Sequence, residues 1–129
     1  MNWSALGAGL GALAVAMGAF GAHGLRSRVE ARELEVFETA ARYHLIHALV
    51  LVAVGLLAAL ASGQGRPDVA RAADQAGWLL TAGVAVFSGS LYLLVLTGAR
   101  KLGMVTPVGG LLLIGGWLAL MRAAWLARG

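Results

Sequence analysis

The side chains best suited to chemistry in this sequence are its three histidines. His44 and His47 lie three residues apart, so a helix places them on neighbouring parts of one face, and His23 precedes them. With Glu38 as a fourth donor, these imidazoles could ligate a divalent metal ion, and two of them could hold a haem iron axially. They could also switch protonation near about pH 6.5, or cap helix ends by bonding to exposed carbonyl groups. The sequence leaves these alternatives open, and no cofactor is specified.

A second polar group interrupts an otherwise apolar segment. Ser88, Ser90 and Tyr92 could line a small-ligand site inside a membrane. Their hydroxyl groups could equally bond to a backbone carbonyl one turn back or bridge to a neighbouring helix. Ser88 lacks the G-x-S-x-G surroundings of a hydrolase nucleophile, and the chain has no cysteine. No catalytic residue is assigned, and a non-enzymatic protein is expected.

Four apolar stretches must position these groups. They carry no Asp, Glu, Lys or Arg and span residues 4–22, 45–61, 76–97 and 105–121. As helices each would reach roughly 25–33 Å, close to the hydrocarbon thickness of a bilayer. Only 12% of the residues are charged, against about 25% in soluble proteins. The sequence therefore predicts an all-α integral membrane protein, an antiparallel four-helix bundle forming a single domain over residues 1–129.

The first connection, residues 26–42, has its own pattern. Val29, Val36 and Tyr43 repeat every seven residues, beside Leu34, Phe37 and Ala41, and eight charged residues lie between them and at the ends of the connection. This pattern predicts an amphipathic helix between spans one and two. The helix would lie at the membrane interface or run directly into span two.

Small residues recur at helical spacing within the spans. Span one carries five on one face (Gly7, Gly11, Ala14, Gly18 and Gly21), and span four carries Gly109 and Gly116. Such faces allow helices to approach closely, which favours association inside lipid. The leading interpretation is an accessory or structural protein that packs against itself, another membrane protein or lipid. A homo-oligomer or a larger membrane complex would follow.

The charge pattern bears on orientation and partners. The net charge is +4, and the ten basic residues lie outside the apolar stretches. Connections one and three hold six of them, which predicts a cytoplasmic location for these connections and both termini on the non-cytoplasmic side of the membrane. Anionic headgroups explain the basic residues, and nucleic-acid binding is not expected. A transporter or channel is a further alternative, although no span carries the carboxylate that proton coupling generally needs.

Short motifs occur in a characteristic order through nearly the whole chain. They are 18–25 (GAFGAHGL), 37–40 (FETA), Tyr43-His44 with 47–49 (HAL), 87–92 (FSGSLY), Thr106-Pro107 with Gly109-Gly110, and Gly116-Trp117. This order resembles a family of small bacterial membrane proteins registered as domain of unknown function 423, which has relatives in animals. The resemblance implies a four-span membrane protein. It implies no activity, so no catalytic residue is carried over from it.

Overall fold

The computed structural model describes all residues 1–129, and its fold is all-α. Four antiparallel helices carry the chain: α1 Trp3–Phe20, α2 Ala31–Gly63, α3 Pro67–Thr97 and α4 Thr106–Ala127. A π-helical turn, Gly21–Leu25, extends α1, and a 3-10 turn, Arg100–Met104, precedes α4. Each of the four is long and apolar enough to cross a membrane. The predicted all-α, four-span architecture is confirmed.

Local sequence signals explain where the helices begin and end. The Asn2 side chain accepts a hydrogen bond from the Ala5 amide and caps α1. Glu30 and Glu33 form a reciprocal capping box at the start of α2. At the end of α3, Gly98 takes φ 72°, a left-handed conformation that glycine adopts without a steric penalty.

The predicted amphipathic segment and span two form one continuous helix. Of the two arrangements predicted for this segment, the structure shows the second, in which it runs directly into the span. At 33 residues, α2 is about 50 Å long and exceeds the hydrocarbon thickness. Its N-terminal third contributes Phe37, Ala40 and Ala41 to the core, whereas Glu38 and Arg42 stay exposed. An amphipathic pattern therefore produces a buried face here rather than a separate surface helix.

Helices that follow each other in the chain also pack against each other. α1 packs on α2, α2 on α3 and α3 on α4, whereas α1 and α3 make little direct backbone contact. Trp3 of α1 does reach α3, where its indole N–H donates to Asp74 (2.8 Å) and its ring covers Gly77. Arg66, in the α2–α3 turn, donates to the Leu126 carbonyl (2.8 Å). Both chain termini consequently lie at the end of the bundle that carries this turn.

The α1–α2 contact depends on the small residues predicted for packing. A Cβ at Gly7 would lie 2.7 Å from both the Ala48 carbonyl oxygen and the Val52 amide nitrogen. The two backbones touch at this point because Gly7 has no side chain. Gly11 also faces Ala48, at 3.9 Å, and Ala14 is buried.

Toward the end of α1, the predicted small residues do not bring the two helices into close contact. A Cβ at Gly18 would meet no atom within 4 Å, and one at Gly21 would meet only the Phe37 ring. The large Phe37 side chain fills the space between α1 and α2 here. The helices therefore do not approach as closely as they do at Gly7, and Gly18 remains outside the contact.

The α3–α4 contact also relies on glycine. A Cβ at Gly109 would clash with the backbone of Phe87, and one at Gly116 would lie 2.6 Å from Leu80. Gly83, on α3, faces Leu113 in return. The predicted small residues of span four thus lie within the contact between two helices of the same chain.

Candidate functional site

His44 lies buried at the centre of the α2 packing surface. It shares this surface with Phe37, Ala41, Ala48 and Leu51, at the spacing of three, four and seven residues that defines one helical face. The residue is only 3% exposed. The Nδ1 atom shares a hydrogen bond of 2.9 Å with the Tyr92 hydroxyl of α3. Burial follows from the position of His44 on an otherwise apolar face.

Two buried polar atoms have no hydrogen-bond partner in the protein. They are Nε2 of His44 and the hydroxyl oxygen of Thr81. Thr81 lacks even the bond to the carbonyl four residues back that Thr97 makes with Leu93. Leaving such a group unpaired costs about 1–3 kcal/mol. Since buried polar groups are nearly always paired, two unpaired atoms call for an explanation.

His44 and Thr81 both line one pocket of about 220 Å³. α1 forms one wall and α3 the other, and His44 of α2 lies between them. The pocket is lined mainly by carbon atoms. Leu13 and Ala85, on the two walls, are exposed on the outer surface of the bundle. The pocket therefore opens sideways, toward the position that lipid occupies.

Thr81 belongs to a polar face of α3 that the sequence analysis missed in part. Thr81, Ser88 and Tyr92 are separated by seven and four residues, so one face of the helix carries all three. All three line the pocket. The Ser88 hydroxyl donates to the Ala40 carbonyl of α2 at 2.8 Å and is therefore satisfied. The spacing alone places Thr81 on the same helical face as Ser88 and Tyr92, although Thr81 lies outside the 87–92 motif.

Ser90 separates from this group and faces α4. Its hydroxyl donates to the Phe87 carbonyl at 2.9 Å and lies 2.6 Å from the Thr106 hydroxyl. The three predicted polar residues thus divide, because Ser88 and Tyr92 bond to α2 and Ser90 bonds to α4. Only Ser88 and Tyr92 share the pocket with His44.

His47 has a different neighbourhood from His44. The Trp117 indole N–H of α4 donates to its Nε2 at 3.0 Å, and its Nδ1 lies 2.6 Å from the Tyr43 carbonyl. An indole can only donate and a carbonyl can only accept, so the proton of His47 resides on Nδ1. Both ring nitrogens are satisfied, and the residue connects α2 to α4.

The four residues proposed as a metal cluster are not brought together. His23 is exposed in the π-helical turn, Glu38 is exposed on α2, and His44 and His47 turn to different helices. No group of three or more histidine and acidic side chains is arranged to hold a metal ion. His44 lies level with Leu10 and Thr81, well inside the apolar parts of α1 and α3. The apolar stretch predicted from hydropathy begins at residue 45, directly after His44. Charged residues that precede His44, on the opposite face of α2, set this boundary.

The fold defines a small four-span integral membrane protein. Its buried polar residues His44, Ser88 and Tyr92 lie beside a pocket formed by α1, α2 and α3. Residues 17–110 match the sequence profile of a family described as protein of unknown function (DUF423). The chain belongs to this family, which confirms the resemblance found in the motifs.

Relatives of similar length are named UPF0382 membrane proteins. The chain is 44% identical over 124 residues to a UPF0382 membrane protein of Staphylococcus aureus, covering 96% of this chain and 95% of the relative. It is 44% identical over 119 residues to the UPF0382 membrane protein YwdK of Bacillus subtilis, with 92% of each chain covered. A UPF0382 membrane protein of Staphylococcus saprophyticus is 46% identical over 116 residues, or 90% of each chain. No solved structure matches.

Proposed function

We propose that this protein is a non-enzymatic membrane protein that binds a small lipid-soluble molecule in the pocket between α1 and α3. The observation that carries the proposal is a mainly apolar pocket, open toward the lipid, whose lining residues include His44 and Thr81, the two residues with an unpaired buried polar atom. Ligand sites in proteins typically combine apolar walls with a few polar groups that fix orientation. A bound molecule would contact mainly the apolar side chains of the lining.

The size of the pocket limits what it can hold. Its volume of about 220 Å³ is below the range of about 300–1,000 Å³ that is usual for complete ligand sites. A ring or a compact head group would fit inside it. Because the pocket opens between α1 and α3, any apolar remainder would lie along Leu13 and Ala85 toward the lipid.

The small-residue faces give less support to an accessory packing role than the sequence suggested. The glycine faces that motivated it are occupied within the chain, Gly7 by α2 and Gly109 and Gly116 by α3. These residues are explained by the fold itself. The accessory role, with a homo-oligomer or larger membrane complex, stays a prediction, and so does a transporter or channel.

The absence of catalysis and of a metal or haem is part of the proposal. The Ser88 hydroxyl donates to a backbone carbonyl and makes no hydrogen bond to a histidine or carboxylate that could activate it. Both nitrogens of His47 are engaged in hydrogen bonds, so neither is free to ligate a metal. These engagements support a binding role, in which the polar groups orient a molecule without reacting with it.

The charge pattern bears on the orientation of the protein in the membrane. We place the protein in the bacterial inner membrane, with both termini on the non-cytoplasmic side. Both termini lie at the end of the bundle that carries the α2–α3 turn. Six of the ten basic residues belong to the opposite connections, which favours the cytoplasm for that end.

Gly89 provides a direct test because it lines the pocket and a Cβ there would meet no atom within 4 Å. A Gly89→Leu variant adds a side chain at the lining of the pocket with no clash at its Cβ, and Gly9→Leu is a matched control on an open surface of α1. Each protein is extracted from its native membrane in polymer nanodiscs, and its small molecules are compared by mass spectrometry. We expect one compound to accompany the wild type and Gly9→Leu in near-stoichiometric amount and to be lost from Gly89→Leu. The same small-molecule content in all three folded proteins would overturn the proposal.

A further inference from the structure

A second pocket lies at the end of the bundle that carries the α2–α3 turn. Its volume is about 610 Å³, within the range that is usual for complete ligand sites. The start of α1, the last turns of α2 and the first turns of α3 form its walls. Unlike the pocket beside His44, it exposes polar and apolar surface in comparable amounts. We propose that this second pocket binds the head group of a membrane phospholipid that carries both a phosphate and a primary ammonium group.

The second pocket crosses the boundary between the apolar and the polar parts of the chain. Leu56 and Ala59, in its lining, belong to the second charge-free stretch and are exposed on the outside of α2. Arg71 and Asp74 line it too, and they precede the third charge-free stretch. A matching ligand needs an apolar part in the hydrocarbon and a charged part at the membrane surface. A phospholipid has this construction, whereas a water-soluble compound does not.

Tryptophans support this depth in the membrane. Trp3, in the lining of the second pocket, packs edge-to-face against Trp78 of α3, with the ring centroids 5.1 Å apart. Tryptophan is enriched where the hydrocarbon meets the head groups. The second pocket therefore lies at the level that phospholipid head groups occupy.

The two charged residues of this lining are not paired with each other. Arg71 and Asp74 lie three residues apart on α3, a spacing at which side chains can meet, but they form no ion pair. Arg71 uses only its Nε atom, which donates to the Pro67 carbonyl (3.3 Å). Asp74 uses only one carboxylate oxygen, which accepts from the Trp3 indole (2.8 Å). The Arg71 side chain is exposed, and the second oxygen of Asp74 is not enclosed, so both free groups are accessible to a ligand.

Each free group matches one half of the proposed head group. The guanidinium of Arg71 can donate two parallel hydrogen bonds to phosphate oxygens. The free carboxylate oxygen of Asp74 can accept from an ammonium N–H. A head group with phosphate alone would bring a second negative charge close to Asp74, and a quaternary ammonium has no N–H to donate. We therefore expect phosphatidylethanolamine to bind more tightly than phosphatidylglycerol or phosphatidylcholine.

Native mass spectrometry of the detergent-solubilised protein measures the affinity for these three lipids, prepared with identical acyl chains. Arg71→Gln removes the phosphate partner, and Asp74→Asn removes the ammonium partner while keeping an oxygen that can accept from Trp3. Arg122→Gln is the matched control, because Arg122 is exposed at the same end of the bundle, beside Gln75, and does not line the pocket. We expect the wild type and Arg122→Gln to prefer phosphatidylethanolamine by about three- to fivefold, the scale of a partly exposed ion pair.

The variants assign each half of the head group separately. Asp74→Asn should lose the preference, and Arg71→Gln should weaken the binding of all three lipids. Equal affinity of the wild type for the three lipids would overturn the ammonium assignment. Binding that Arg71→Gln leaves unchanged, or that Arg122→Gln weakens equally, would overturn the site. Displacement of the lipid by water-soluble glycerophosphoethanolamine would overturn the choice of a lipid as the ligand.

Discussion

The Thr81 hydroxyl gives the sharpest test of the unpaired-atom argument. Thr81→Val replaces the hydroxyl with a methyl group of similar shape and removes a buried group that has no partner. An unpaired group costs about 1–3 kcal/mol, although measured polar contributions between membrane helices average only about 0.6 kcal/mol. We therefore expect Thr81→Val to be more stable than the wild type by about 0.5–2 kcal/mol.

Thr106→Val is the matched control, because its hydroxyl lies 2.6 Å from the Ser90 hydroxyl and connects α3 to α4. Losing this bond should destabilise the protein by about 0.5–1.5 kcal/mol. Both variants are unfolded by sodium dodecyl sulfate in mixed micelles and followed by circular dichroism. Opposite signs for the two substitutions are expected. Equal destabilisation would mean that the Thr81 hydroxyl has a partner in the protein, and the argument for the pocket would fail.

Three further predictions can be checked by the same unfolding assay. Gly7→Ala should cost about 1–3 kcal/mol by overpacking against the α2 backbone, whereas Gly9→Ala, whose Cβ meets no atom, should keep or raise stability; equal effects would contradict the close approach. Tyr92→Phe should cost about 1–3 kcal/mol by leaving its imidazole partner unpaired, against less than about 0.5 kcal/mol for Tyr43→Phe. Trp3→Phe should cost about 1.5–3 kcal/mol by removing the bond to a carboxylate on α3; unchanged stability would mean that this bond contributes nothing.

Hydropathy sufficed for the number of spans because each apolar stretch comes close to the length that a bilayer requires. It did not indicate that His44 lies level with Leu10 and Thr81, because His44 follows Glu38 and Arg42 in a charged stretch. Those charges lie on the exposed face of α2, whereas His44 lies on the face of Phe37 and Ala41. The spacing of apolar residues on α2 therefore indicates the burial of His44, whereas average hydropathy does not.

Contacts between distant residues could not be obtained from local patterns. Trp117 and His47 are 70 residues apart, and no periodicity relates α2 to α4. The division of Ser88 from Ser90 depends similarly on which helix each faces across the bundle. By contrast, Thr81 was within reach of sequence reasoning, since it shares a helical face with Ser88 and Tyr92.

The packing that holds the bundle together also creates the pocket. Glycine brings α1 against α2 at Gly7 and α3 against α4 at Gly109, whereas the glycine of α3 that faces α1, Gly77, accommodates the Trp3 ring and no close backbone contact joins the two helices. Trp3 spans the two helices near one end, and beyond it the gap over α2 remains open along Leu10 and Leu13. The one buried histidine with a free nitrogen lies at the base of this gap. A lipid-soluble molecule could therefore enter sideways from the membrane without any helix having to separate from the neighbour on which it packs.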